Sequence, residues 1–298
     1  MTLLGRLVGR TPPPALFVVS GLGQYVGAAL AVGLFATVSA AGVGWARILV
    51  AAVVLVAWRR PWRAAWTRRT LQAAVAFGVV LALMNVTFYL AIERLPLGTA
   101  VAIEFAGPVT VAVLTGAGRR ERAGAALAAV GVVLLAGVTL VAGRDAAVGL
   151  LLILAAAVCW AGYIVLGRRV ALAGDGVTRL AVAMAAGALV LAPVLAPSGL
   201  AVFGAWDTAL LVVGVALLSS VIPYGVEQVV LPRVSAAAFA VLLALLPASA
   251  AVVGAVALRQ LPGPAEVVGL VCVSVAIALT SRRSTPPTEP PAGAAESA

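Results

Sequence analysis

The sequence has no histidine and no lysine, only two cysteines, and charge on just 10% of its 298 residues. Each shortage removes a kind of chemistry. Without lysine there is no phosphate-binding Walker loop and no Schiff base. Without histidine, imidazole-dependent triads and most zinc sites disappear. Cys159 and Cys272 each lie in an apolar run with no second cysteine nearby. They read as small packing residues, with neither a disulfide framework nor a redox motif. No cofactor and no metal is expected. An enzyme embedded in the membrane would need a nucleophile with its base, or a metal cluster, and the sequence offers neither.

What the chain has in abundance is hydrocarbon. It is 63% apolar, with a mean hydropathy of +1.16. Soluble domains are about half apolar and about a quarter charged, so this composition belongs to a membrane protein. The net charge of +10 comes entirely from arginine. Those arginines fall in short clusters between apolar runs, which marks topology and not a nucleic-acid surface.

Apolar stretches of the length that crosses a bilayer, about 20 residues, number ten. They lie near 15–36, 40–58, 71–92, 97–116, 123–142, 148–167, 180–196, 208–230, 237–258 and 264–281. With the N-terminus inside, sixteen arginines fall in inner segments, among them Arg59, Arg60, Arg63, Arg68 and Arg69. Only Arg94, Arg144 and Arg259 fall outside, and Arg47 lies within a span. The positive-inside rule then puts both termini in the cytoplasm. A signal peptide is the alternative for the first span, but the run is long for one and carries Gln24. Residues 1–14 form a short cytoplasmic tail. Residues 282–298, rich in Pro, Ala and Glu, are expected to be disordered.

The second half echoes the first at an offset of 139 residues, placing Gly107-Pro108 on Leu246-Pro247. Each half then has its fourth helix interrupted by proline at the same place. The halves are residues 15–142 and 148–281. Five spans per half invert the second copy relative to the first. The expected fold is therefore all-α, with ten transmembrane helices as two inverted five-helix repeats. Such repeats with matching broken helices are transporter architecture; the plainer account is that membrane helices tolerate proline.

Against this background Glu104 needs an explanation. It sits mid-span in Glu104-Phe-Ala-Gly-Pro108, and a charge in a membrane segment is costly and functional by default. Pro108 cannot supply the N–H that would bond the carbonyl of residue 104, so a carboxyl and a freed backbone acceptor share one level. Arg47 and Glu104 each lie seven residues after the outer start of their spans, and Asn85 seven before the outer end of its own. All three fall roughly 10 Å below the outer boundary. Arg47 and Glu104 are thus expected within reach of each other or of one zwitterionic ligand. The plainer reading is an ion pair that fixes helix packing.

Other polar groups lie at helical spacing on shared faces. Ser20 and Gln24 do so, as do Asn85 and Tyr89, Trp160 and Tyr163, and Ser220, Tyr224 and Gln228, with Glu227 close by. Trp160 and Tyr163 suit a cavity wall or core packing equally. Glu227 suits a coupling role or an interfacial, snorkelling one.

In Met84-Asn-Val-Thr-Phe-Tyr89, Leu95-Pro-Leu-Gly98, Ala102-Ile-Glu-Phe-Ala-Gly-Pro108, Cys159-Trp-Ala-Gly-Tyr163 and Pro223-Tyr-Gly-Val-Glu227, the chain resembles the drug/metabolite transporter superfamily. The resemblance is to the ten-helix kind with two EamA-type repeats, and within it to the bacterial threonine/homoserine exporters. It implies export of amino acids or related metabolites across the inner membrane, driven by an ion gradient without ATP. Two places depart from that pattern. An acid is expected where Leu246 precedes Pro247, and Gly-Glu where Arg259-Gln260 stands.

The expected partners are a small zwitterionic metabolite, protons or another coupling ion, and the lipid bilayer; a homodimer is compatible with the sequence, and no nucleic acid is expected. Glu104 would respond to a proton or an ammonium group and Arg47 would meet a carboxylate. Gln24, Asn85, Tyr89, Trp160, Tyr163, Tyr224 and Glu227 complete the candidate site. The alternative is a lipid-handling or scaffold membrane protein.

Overall fold

The computed structural model describes residues 13–115, 118–171, 176–223, 226 and 245–280. Among them every regular element is helical. The elements are α1 (Pro13–Leu34), α2 (Ala40–Arg59), α3 (Arg68–Ile92), α4 (Leu97–Glu104), α5 (Ala106–Thr115), α6 (Arg119–Val141), α7 (Arg144–Ala171) and α8 (Gly176–Gly199). They continue with α9 (Trp206–Ala216), which runs into a π-helical turn at Leu217–Val221, then α10 (Leu246–Leu258) and α11 (Pro264–Thr280). Six stretches are long and apolar enough to cross a membrane, one of them formed by α4 and α5 together. The helices at Val18–Leu34, Trp206–Val221, Leu246–Leu258 and Pro264–Leu279 are apolar but shorter. This is an all-α, multi-pass membrane protein.

Helix ends follow local chemistry. The Ser39 hydroxyl accepts from Gly42 N at the start of α2. Thr67 and Thr70 exchange side-chain and backbone bonds in a capping box at the start of α3. Arg60 and Arg259 adopt left-handed backbone where α2 and α10 end. The span beginning at Leu97 breaks after Glu104, with Phe105 between two helices. Residue 108 is proline, so the carbonyl of residue 104 loses its donor at the expected point. Pro247 likewise sits in the first turn of α10; residues 227–244, which lead into it, lie outside the description.

Large apolar side chains face outward, Val141, Leu114 and Trp206 among the most exposed. In lipid such exposure carries no penalty, and helix contacts depend on close approach instead. Small residues supply it: a Cβ at Gly78 would strike the carbonyl of Ala183, and one at Gly107 the carbonyl of Ala157. The main pairings are α2 with α8, α6 with α11, α4 with α10, α3 with α7 and α8, α9 with α1 and α2, and α7 with α4 and α5. Helix α10 also packs on α1.

Candidate functional site

The break after Glu104 brings a carboxylate to the centre of the bundle. Glu104 is the last residue of α4 and is 8% exposed. Its side chain makes no hydrogen bond or ion pair with any described residue. Arg47 on α2, Tyr25 on α1 and Cys159 on α7 stand within electrostatic reach of it.

Arg47 is 5% exposed and is held by a neutral group. Its Nη1 donates to the Tyr89 hydroxyl at 3.3 Å, and the guanidinium carbon lies 4.8 Å from the centre of the Tyr89 ring. Its Nε is buried without a partner. No carboxylate among the described residues forms an ion pair with Arg47. The packing ion pair weighed from the sequence is therefore not formed here, although the two charges do converge. Tyr89, fully buried, is set by an edge contact with Phe35 and a tilted one with Phe88.

The other expected residues divide. Asn85 is buried one turn from Tyr89, and its Nδ2 donates back to the Leu81 carbonyl at 2.8 Å. Gln24 is half-buried, and its backbone carbonyl accepts from the Ser219 hydroxyl at 2.9 Å. Trp160 stacks edge-on against Phe105, the residue at the helix break, with ring centres 4.7 Å apart. Tyr163 instead lies on Phe77 at 4.9 Å, in a separate apolar cluster formed by α2, α3 and α8. Tyr224 and Glu227 lie outside the described residues.

Two residues were missed from the sequence, Tyr25 and Ser219. Tyr25 is buried near Glu104 and follows Gln24 directly. Ser219 and Ser220, on the π turn, are 5% and 0% exposed, and the Ser220 hydroxyl has no partner. Four tyrosines occur in the chain and all lie within apolar runs, a signal that would have found Tyr25. A π turn leaves no such sequence signal.

A second polar group lies at the end of the bundle where α4 begins. Thr99 Oγ1 donates to Glu266 Oε1 at 2.8 Å, and Leu97 N donates to Gln260 Oε1 at 2.9 Å. Arg259, Gln260 and Glu266 border a cavity of about 270 Å³ there.

Comparison with known proteins places this arrangement. The model of the EamA-like transporter family matches residues 147–282. The threonine/homoserine exporter RhtA of Escherichia coli (strain K12) is 34% identical over 222 residues, 73% of this chain and 74% of that protein. The exporter of the same name from Salmonella typhimurium (strain SL1344) is 33% identical over the same shares. A protein crystal structure 19% identical to this chain superposes with a TM-score of 0.59, over 90% of this chain and 96% of its own, and so shows a shared fold. A transporter family and a likeness to exporters along most of the length agree: this chain is a member of the EamA-type drug/metabolite transporter superfamily.

Proposed function

We propose that this chain is a secondary active exporter of small zwitterionic metabolites, amino acids of the threonine/homoserine kind, coupled to protons through Glu104. One observation carries the reading. Among the described residues, a buried cation with only a neutral hydrogen-bond partner and a buried carboxylate with none stand near each other without pairing. Unpaired charges in a low dielectric are costly, so a site that keeps both is suited to a ligand bearing both opposite charges. An amino acid does, its carboxylate for Arg47 and its ammonium for Glu104. Proton uptake by Glu104 then competes with ammonium binding, which is how an export cycle can be driven by a gradient.

The frame of the reading is ten helices in two inverted repeats, with both ends in the cytoplasm, in the cell's inner membrane. Packing supports it. Exchange the first-half helices α1, α2, α3, α4–α5 and α6 for α7, α8, α9, α10 and α11, in that order. The pairings α2–α8, α4–α10 and α6–α11 then map onto themselves. Likewise α3–α8 maps onto α9–α2, α3–α7 onto α9–α1, and α4–α7 onto α10–α1. The family match over residues 147–282 spans nearly the proposed second repeat. Sites at such repeat interfaces, beside broken helices, are where secondary transporters bind substrate.

The test is labelled threonine transport into proteoliposomes, wild type against Glu104→Gln. Uptake driven by a proton gradient should be lost while exchange of internal for external threonine persists. A Glu104→Gln protein that responds normally to the gradient would remove the coupling role. Absence of exchange by the wild type for every amino acid tried would favour the lipid-handling or scaffold alternative.

A further inference from the structure

The turn between α2 and α3 gathers side chains found together nowhere else in the chain. Residues 58–69 hold Trp58, Trp62 and Trp66 with Arg59, Arg60, Arg63, Arg68 and Arg69, and no acid occurs from residue 41 to residue 92. Its backbone is firmly held. Arg60, in left-handed conformation, turns the chain out of α2, and its N–H donates to the Val56 carbonyl at 2.9 Å. A 3-10 turn follows at Pro61–Arg63, with Pro61 buried and its carbonyl accepting from Trp66 Nε1 at 2.9 Å. Both edges are tied to α8. Arg59 Nε donates to the Thr178 hydroxyl at 3.4 Å, and the Arg179 guanidinium lies 5.4 Å from the Trp66 ring centre.

The rim of this turn faces outward. Trp58 and Trp62 are 60% and 66% exposed, and Arg60, Arg63, Arg68 and Arg69 are exposed beside them. None of those four arginines forms an ion pair with a described residue, whereas Arg94, on the turn after α3, meets both Glu93 and Asp145. The positive-inside rule accounts for arginines in such a turn. It does not account for two outward indoles among them, or for a backbone fixed to hold both. Indole favours the depth of the lipid headgroups, and guanidinium matches phosphate with paired hydrogen bonds. A cluster of four or more arginines just inside a span is also the charge pattern that attracts anionic lipid. We propose that this turn is a headgroup site for an anionic phospholipid, with Trp58 and Trp62 at the headgroup level and Arg60, Arg63, Arg68 and Arg69 around the phosphate. A lipid held there would brace the inner ends of α2 and α8 against each other. The inference rests on the proposed topology, which puts this turn on the inner side.

The purified full-length protein in neutral detergent tests it, with short-chain phosphatidylglycerol as the probe and the thermal midpoint as the readout. Phosphatidylglycerol should raise the midpoint saturably; phosphatidylcholine and glycerol 3-phosphate at the same concentrations should not. Each arginine near an anionic headgroup is worth about fivefold, so Arg60→Gln, Arg63→Gln and Arg68→Gln together should raise the half-saturating concentration about 100-fold. Trp62→Ala alone should raise it about tenfold. Removing three exposed arginines at the start of α6 instead, by Arg119→Gln, Arg120→Gln and Arg122→Gln, should leave it unchanged. If that control weakens the response equally, or glycerol 3-phosphate gives the same rise, the turn is plain surface charge and the proposal falls. In proteoliposomes the variant of the turn should keep the wild-type preference for threonine over threonine amide. The amide keeps the ammonium and loses the carboxylate, so this preference measures carboxylate recognition. Its loss would make the turn part of the transport site and overturn the proposal. The topology is tested separately, with Trp62→Cys in a Cys159→Ala, Cys272→Ala background. An impermeant maleimide should label it only in inside-out vesicles. Labelling from outside, with the phosphatidylglycerol response intact, would remove the inner placement and leave the headgroup site standing.

Discussion

Glu104 and Glu266 are both carboxylates in an apolar bundle, yet their surroundings are opposite. Glu266 lies in the first turn of α11, where the helix dipole favours an acid. Its Oε1 accepts from Thr99 and its Oε2 from Gly263 N, each at 2.8 Å. Nearby, the Gln260 side chain satisfies the first N–H of α4. Glu104, at the other end of that same helix, has no such bonds among the described residues, and Arg47, the arginine within its electrostatic reach, is held by a tyrosine instead. The Glu266 arrangement is built on contacts between the two halves of the chain, whereas Arg47 and Tyr89 both belong to the first. One end of α4 is satisfied as structure, while the other holds unspent charge. In a protein that gains little by burying polar groups, the unspent end is where the proposed chemistry would be reserved.

If that contrast is right, removing the two kinds of group should have opposite costs. Arg47→Met should lower threonine exchange at least about 100-fold, because the charge proposed to meet the carboxylate is gone. The same change should raise the thermal midpoint in detergent, since a buried charge without an ionic partner destabilises the fold it sits in. A lowered midpoint would mean that Arg47 is ionically paired after all, and the contrast would collapse.

The sequence made one side of this contrast much easier to read than the other. Glu104, Arg47 and Tyr89 were legible because charge and phenol are scarce in the apolar runs, and residue counting from span ends put the two charges at one depth. The break after Glu104 was legible too, since proline removes a defined donor four residues back. Helix ranges were close for long spans, with α2 at Ala40–Arg59 against the expected 40–58. Tyr163 and Trp160 meet different neighbours, Phe77 and Phe105; three-residue spacing puts two side chains on one helix face without saying which neighbour each meets. The π turn was hidden because its bonding pattern depends on tertiary contacts. The lock between Thr99 and Glu266 joins residues 167 apart, a pairing no local pattern encodes.

A second prediction sharpens the structural side. Gly98 lets α4 lie directly on α10: a Cβ there would stand 2.7 Å from the Ala251 Cα. Backbone cannot yield as a flexible side chain can, so Gly98→Val should destabilise by about 1–3 kcal/mol, as overpacked contacts do. Thermal unfolding in detergent would show it as a midpoint several degrees lower. The protein that remains folded should keep its apparent KM for threonine. A changed KM would show that the packed end of α4 governs the charged end.

The smallest effect is the most discriminating. Thr99→Val keeps the shape of the side chain and removes only the hydroxyl that donates to Glu266 Oε1. Glu266 is half-exposed and retains its bond from Gly263 N, so the loss should be near one net hydrogen bond, about 1 kcal/mol. The thermal midpoint should fall by about 2–4 °C, while the preference for threonine over threonine amide stays as in the wild type. On the proposed reading that preference is set by Arg47, held by Tyr89, and neither touches Thr99. If Thr99→Val alters the preference, satisfied and unsatisfied charge are not separate functions of α4. The helix would then act as one rigid element coupling its two ends, and the lock at Glu266 would belong to the transport cycle.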